Sequence, residues 1–134
     1  MTSIAVVEGI GEAYAEKLRA IGIKTCEKLL TRGATPQGRK EIADQSGIPE
    51  RQILEWVNHV DLFRIKGVQQ EYADLLEEAG VDSVPELAQR NAANLHEKLQ
   101  AVNAAKNLVR QLPTLARVSD WIEQARKLPR VVTH

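Results

Sequence analysis

The sequence predicts an all-α protein, and three observations lead to this prediction. Aromatic residues make up only 4% of the 134 residues, and Val, Ile and Thr rarely alternate with polar residues, so the signals for β-strands are weak. Apolar residues recur at the spacing of a helix face, as at Tyr14, Leu18 and Ile21. Capping residues and glycines divide the chain into short helices of about two to three turns.

The punctuation of the first half predicts where its helices begin and end. Gly22 follows the first apolar stripe, at the point where a helix C-terminus favours a left-handed residue. Thr35 before Pro36 predicts a helix start, because threonine is a good N-cap and proline fits the first helical turn. Gly47 is placed to end that helix in the same way as Gly22.

The second half carries the same kinds of signal. Ser83 and Glu86 have the spacing of a capping box with Pro85 between them, and Gly80 ends the preceding apolar stretch. The remaining helices are predicted from three apolar stripes: Ile53, Trp56, Val57 and Val60; Tyr72, Leu76 and Ala79; and Val118, Trp121, Ile122 and Ala125.

An internal repeat appears when Gly9 is aligned with Gly67, an offset of 58 residues. At this offset the following pairs coincide: Tyr14 with Tyr72, Ala15 with Ala73, Leu18 with Leu76, Gly22 with Gly80, Leu29 with Leu87, and Arg32 with Arg90. Trp56 and Trp121 close the two halves at an offset of 65, which an insertion of 7 residues in the second half explains. The pattern predicts two repeats of short helices, over about residues 4–58 and 62–127.

The two repeats are predicted to pack into one compact domain that covers residues 1–134. A chain of this length can bury a full hydrophobic core. The joining segment 61–65 has no linker composition, so we expect the halves to share that core.

The run Val7-Glu8-Gly9-Ile10-Gly11, followed by Ala15 and Leu18, resembles a helix-hairpin-helix element. In that family a glycine turn joins two short helices, and its glycines permit a positive φ and a close approach of a ligand to the backbone. The resemblance implies that amides at the start of the following helix can hold a phosphate group. A tight interhelical turn with no ligand is the alternative interpretation, because packing alone also needs the glycines.

The second repeat has a corresponding element, Ile65-Lys66-Gly67-Val68-Gln69, and we call the two elements the first and the second hairpin. Both contain candidate nucleic-acid-binding residues. They are Gly9, Ile10 and Gly11 with the nearby cations Lys17, Arg19 and Lys24 in the first repeat, and Lys66 and Gly67 in the second. Gln69 stands in the second hairpin where the second glycine of the motif is expected. This departure weakens the case for phosphate binding by the second hairpin.

A resemblance to a bacterial domain-of-unknown-function family, DUF4332, covers nearly the whole chain. It is carried by residues 61–68, 71–73, 75–76, 79–84, 86–91, 94–96 and 120–125, with an upstream half at 38–40 and 53–58. The resemblance implies an all-α fold with tandem helix-hairpin-helix-like repeats. It implies no activity, so function follows only by analogy of fold.

The sequence gives no indication of several classes of protein and site. No apolar run approaches the ~20 residues of a membrane span, and the opening residues predict no secretory signal. The single cysteine, Cys26, is expected to be a small buried or half-buried hydrophobe in a reduced, cytoplasmic protein. No phosphate-binding loop, nucleophile elbow, dinucleotide fingerprint or metal-ligand spacing is present, so we expect no enzyme activity, no cofactor and no metal.

Charge leaves two questions open. The pair Arg39-Lys40 is either a nucleic-acid contact or, more commonly for such a pair, part of a solvated face. Residues 71–86 carry only acidic charges and residues 98–130 mostly basic ones. Four interpretations of this asymmetry remain open. The charges serve to recognise a partner, attract the two segments to each other within one chain, promote self-association, or are scattered surface charges.

Two functional hypotheses follow. The first is a non-enzymatic module that makes weak, sequence-independent contacts with a nucleic-acid backbone, and the glycine turn favours it. The second is a module that binds a protein partner or itself. Eighteen basic and eighteen acidic residues give a net charge of zero, which favours the second hypothesis.

Overall fold

The computed structural model describes residues 3–7 and 9–134 of the chain, while Met1, Thr2 and Glu8 lie outside the described residues. A 3-10 helix spans Ile4–Val6, and the α-helices are α1 (Glu12–Ala20), α2 (Cys26–Arg32), α3 (Pro36–Ser46), α4 (Glu50–Leu62), α5 (Gln70–Glu78), α6 (Val84–Ala88), α7 (Ala92–Lys106) and α8 (Leu115–Lys127). The β-structure of the described residues is limited to one isolated bridge between Ser3 and Thr25. The all-α prediction is confirmed.

Side-chain caps begin most of these helices. The Oγ1 of Thr35 accepts a hydrogen bond from the Gly38 amide at 3.0 Å, so the predicted start of α3 is confirmed. The Oγ of Ser83 accepts one from the Glu86 amide at 3.4 Å. The Glu86 carboxylate pairs with Arg90 at 3.3 Å instead of returning to Ser83, so the structure forms half of the predicted capping box.

Left-handed residues follow helices at the predicted glycines. Gly22, Gly47 and Gly80 have φ angles of 88°, 77° and 94°. Asn107 serves the same purpose after α7, with a φ of 52°. A left-handed residue cannot continue a right-handed helix, so each helix ends there. Glycine is favoured at these positions because residues with a Cβ, asparagine excepted, rarely adopt this conformation.

The chain divides into two compact units, one formed by the residues up to Asp61 with Val131–His134 and the other by Leu62–Arg130. In the first unit α1 contacts the 3-10 helix and α3, and α2 contacts α3. Its fully buried side chains include Ile4, Leu18, Ile23, Leu29, Ile42, Ile48, Ile53 and Trp56. That the two repeats form one domain with a shared core stays a prediction.

The second unit packs around α8. This helix contacts both α6 and α7, and α7 also contacts α5. Its core includes Leu62, Ile65, Leu75, Leu76, Val81, Leu87, Leu99, Val118 and Trp121. Trp121 is fully buried here, as Trp56 is in the first unit, so both tryptophans of the apolar stripes are core residues.

The two units share local backbone geometry at the offset of 58 residues. In the first unit Ile10 donates to Val7, Ala15 to Gly11, Gly22 to Arg19 and Ile23 to Leu18; in the second, Val68 donates to Ile65, Ala73 to Gln69, Gly80 to Glu77 and Val81 to Leu76. Corresponding donor–acceptor distances differ by 0.1 Å or less. The hairpin of each unit and the turn after its first helix therefore have matching hydrogen bonds.

Arg39 corrects the expectation of a solvated Arg39-Lys40 face. Its side chain is buried, and its guanidinium donates to the carbonyl of Gly33 at 2.8 Å and to that of Thr133 at 2.7 Å. Removal from water lowers the pKa of Arg39 below its usual value. Lys40 is exposed and pairs with Asp44, so the solvated interpretation holds for the lysine alone.

Segment Val131–His134 completes the first unit. The Thr133 amide donates to the Ala34 carbonyl at 2.8 Å, and the side chain of Val132 is buried. Together with the Arg39 bond to Thr133, these contacts tie the segment to the start of α3.

Candidate functional site

The first hairpin presents a glycine turn at the start of α1. Gly9 has a φ of 92°, which only glycine adopts readily, and the buried side chain of Ile10 anchors the turn. Gly11 is the N-cap of α1 with a φ of −75°, so the expectation of a positive φ at both glycines is wrong at Gly11. A Cβ added at Gly11 would have no atom within 4 Å. Gly11 is therefore open to approach from outside.

An aromatic pair supports this turn from below. The Nε1 atom of Trp56 lies 3.4 Å from the place where a Cβ on Gly9 would sit. Tyr14 packs edge-on against Trp56, with their ring centroids 5.2 Å apart. The buried Nε1 of Trp56 has no hydrogen-bond partner among the described residues. The turn thus rests on a large, fixed apolar surface.

The start of α1 differs from most helix starts in the protein. The N-caps of α2, α3, α6, α7 and α8 each accept a hydrogen bond with their side chain. Gly11 before α1 and Gln69 before α5 make no such side-chain bond within the described part of the chain. The first amides of these two helices consequently have no side-chain acceptor from their N-caps.

The predicted cations of the first repeat are arranged unevenly around the turn. Arg19 is paired with Glu12 at 3.1 Å, and Glu12 itself lies in the first turn of α1. The Nζ of Lys17 lies 5.8 Å from the centre of the Tyr14 ring. Lys24 is exposed, and its carbonyl accepts a bond from the Ile4 amide at 3.4 Å. Of these three cations, Arg19 is the one that pairs with a carboxylate of the described residues.

The second hairpin repeats this arrangement, and its glycine lies closer to the tryptophan than Gly9 does in the first. Gly67 has a φ of 95°, and a Cβ there would lie 3.1 Å from the Nε1 of Trp121. Tyr72 packs against Trp121 with their centroids 5.2 Å apart. The backbone of Lys66 is held by two bonds to the Gln124 side chain, at 2.8 and 3.1 Å. Lys66 and Gly67 are therefore together at an exposed, well-held turn, as the sequence predicts.

Arg117 of α8 lies beside the second hairpin, and the sequence analysis did not single it out from the basic residues of 98–130. It lines an open pocket of about 520 Å³ together with Gly67, Gln69, Gln70, Glu71 and Tyr72. Its position four residues before Trp121 was the available signal, because that spacing puts both side chains on one helix face.

Cys26 and His59 both have buried side chains. Cys26 is buried as expected, and burial raises the pKa of its thiol to about 11. His59 is buried as well. The preceding residues of α4 include the core residue Trp56, and His59 follows it at the i+3 position on that helix.

The acidic and basic segments meet inside the second unit. Helix α5, which lies in the acidic segment, contacts α7, and Lys106 of α7 pairs with Glu78 of α5. Of the interpretations left open by the sequence, this ion pair favours a match within the chain.

Among the described residues, no helix is long and apolar enough to cross a membrane. Comparison with curated proteins gave no match, and neither did comparison with solved structures. The model of one protein family, described as Domain of unknown function (DUF4332), matches residues 8–128. Because this match spans most of the sequence, the chain belongs to the DUF4332 family.

Proposed function

We propose that this chain is a non-enzymatic, helix-hairpin-helix-type binding module of bacteria that holds phosphate groups of a nucleic-acid backbone in the cytoplasm. The observation that carries the proposal is the first hairpin. It combines a left-handed Gly9, an open Gly11 and a helix start whose N-cap supplies no side-chain acceptor. Amides in this arrangement are free to donate to an oxyanion.

Backbone donors define the kind of binding that we expect. They contact phosphate oxygens and carry no information about base sequence, so affinity is weak and indifferent to sequence. One or two phosphates per molecule give a slope of log K against log salt of about −1 to −2. A net charge of zero adds no long-range attraction to this local one.

Fluorescence anisotropy with a labelled DNA duplex at low salt tests the proposal. Gly11→Val is expected to abolish binding, because its side chain would stand in the open space through which a phosphate reaches the amides. The fold should tolerate it, since Gly11 has an ordinary negative φ. Ala20→Val, at the exposed far end of the same helix, is the matched control and should bind like the wild type. Absence of wild-type binding at high micromolar protein would refute the proposal.

Binding of a protein partner, or of a second copy, is the alternative function. The ion pair between Glu12 and Arg19 favours it, because it places a carboxylate in the first turn of α1 and neutralises a nearby cation. The side chain of Val6, just before the hairpin, is 44% exposed. If this alternative is right, Gly11→Val leaves nucleic-acid binding unchanged at zero, and light scattering of the free protein reports any self-association.

A further inference from the structure

We infer that the second hairpin binds a backbone phosphate through the side chain of Arg117, which supplies N–H donors at a turn where Gln69 replaces the second glycine of the motif. The inference rests on the proposed function and assigns a second, chemically different site to it. The ligand class is a phosphate group, and the site is the open pocket lined by Gly67, Gln69 and Arg117.

Three contacts hold the Arg117 guanidinium in place. Its Nη1 donates to the hydroxyl of Tyr72 at 3.3 Å, and that hydroxyl donates in turn to the Gln111 carbonyl at 3.1 Å. Its Cζ lies 5.1 Å from the centre of the Tyr72 ring and 5.9 Å from that of Trp121. Stacking on aromatic rings orients a guanidinium without using up its donors.

The remaining donors of Arg117 are available to a ligand. Arg117 makes no ion pair with a carboxylate of the described residues, although Glu71 lines the same pocket. Its Nη2 lies 3.8 Å from the Cβ position of Gly67, so the guanidinium sits beside the exposed glycine turn. A planar fork with free N–H groups next to an open turn matches the geometry of a phosphate.

The two units differ at the positions of the second motif glycine and of Arg117. Trp121 corresponds to Trp56 at the offset of 65, and at that offset Arg117 corresponds to Gln52. Gln52 donates to Glu55 at 3.3 Å and carries no charge. The first unit therefore has a second glycine and a neutral residue, whereas the second unit has Gln69 and an arginine.

Glu71 sets the limit on affinity at this site. Its carboxylate lines the pocket and repels an anion, so phosphate binding by the wild type should be weak. Glu71→Gln removes this repulsion with little change of shape. We expect it to strengthen phosphate binding, which is the opposite of the effect expected at Arg117.

Titration of the ¹⁵N-labelled full chain with inorganic phosphate, and then with a short DNA duplex, tests the inference. Amide shifts of residues 9–12 report on the first hairpin, and those of residues 67–72 report on the second. Arg117→Gln, which installs the residue of the first unit, should weaken binding at residues 67–72 by about tenfold or more. Arg117→Lys should give an intermediate loss, since it keeps the charge without the fork.

Arg110→Gln is the matched control, because Arg110 is another exposed arginine of the same unit and its loss changes the net charge equally. Because Arg110 does not line the pocket, its replacement should alter the affinity by less than about twofold. Thermal melting of each variant checks that it folds.

The outcomes separate the two proposals. Shifts at residues 67–72 that disappear in Arg117→Gln support the inference, even if residues 9–12 do not respond and the first hairpin fails. Shifts confined to residues 9–12 overturn the inference and leave the proposed function standing. Shifts at residues 67–72 that are equally strong in Arg117→Gln also overturn it, and a silent spectrum refutes both.

Discussion

The buried side chain of Arg39 should contribute to the stability of the first unit through two hydrogen bonds. Its two hydrogen bonds satisfy the carbonyls of Gly33 and Thr133, which lie 100 residues apart in the sequence. Arg39→Ala leaves both carbonyls without this donor, so we expect the free energy of unfolding to fall by about 1.5–3 kcal/mol. Urea denaturation measures this fall. Lys40→Ala, which changes an exposed neighbour, should leave the midpoint unchanged, and an equal shift for both variants would contradict the assigned role.

Cys26 gives a prediction about alkaline stability. Its thiol ionises near pH 9.0 in the unfolded chain, but burial raises its pKa to about 11 in the folded protein. Between these values the folded state retains the proton that the unfolded state has lost, so stability falls as pH rises from about 9 to 11. The difference in unfolding free energy between the wild type and Cys26→Ala isolates the thiol, and a difference that stays constant over this range would contradict the prediction.

At the scale of elements, the two glycine turns differ in how they respond to a methyl group. Gly9→Ala should cost about 1–2 kcal/mol, because Gly9 has a positive φ. Gly67→Ala should cost more, since its Cβ would also lie only 3.1 Å from the Trp121 ring nitrogen. Gly11→Ala is the control, with a negative φ and open space, and should change stability by less than about 0.5 kcal/mol. Thermal unfolding ranks the three variants, and any other order would contradict the geometry of the turns.

Helix boundaries were predictable because they depend on neighbours in the sequence. Thr35 begins α3 and Gly47 ends it through bonds that span three or four residues. The Ser83 cap was equally local, whereas Glu86 had a competing partner in Arg90 one helical turn away. A capping box spacing therefore predicted the helix start correctly and the side-chain partner of Glu86 incorrectly.

Contacts between distant segments were not predictable from pattern alone. Nothing near Arg39 in the sequence indicates that Val131–His134 returns to it, so an Arg-Lys pair suggested solvent. Arg117 reaches the second hairpin because α8 carries Trp121 beneath Gly67, which is also a long-range contact. Aligning the two tryptophans shows that Arg117 corresponds to Gln52, but it does not show that Arg117 lies beside Gly67.

For the whole molecule, the balance of charge limits what kind of binding is possible. Equal numbers of acidic and basic residues leave no general attraction for a polyanion, so any phosphate contact must come from local donors. The pairing of Lys106 with Glu78 uses part of the charge asymmetry inside the second unit. Electrostatic self-association between the acidic and basic segments consequently loses support, and local sites at the hairpins become the features to test.

Segment Val131–His134 should stabilise the first unit and not the second. The first unit includes Val131–His134, so a variant that stops at Arg130 lacks the buried Val132 and the acceptor that Thr133 offers to Arg39. We expect the opening free energy of the first unit to fall by about 2–4 kcal/mol, from lost apolar burial and a lost charged hydrogen bond. The second unit keeps all its residues and its own core.

Residue-by-residue hydrogen exchange distinguishes the units in that variant. Amides in α3, such as that of Ile42, should exchange faster, while amides in α5, such as that of Leu76, should keep their protection. The double replacement Val132→Ser with Thr133→Pro in the chain of 134 residues should give a similar pattern, since it removes the apolar side chain and the amide that donates to Ala34. Equal loss of protection in both helices would show that the units unfold together, and no loss in α3 would show that the segment contributes nothing to the first unit.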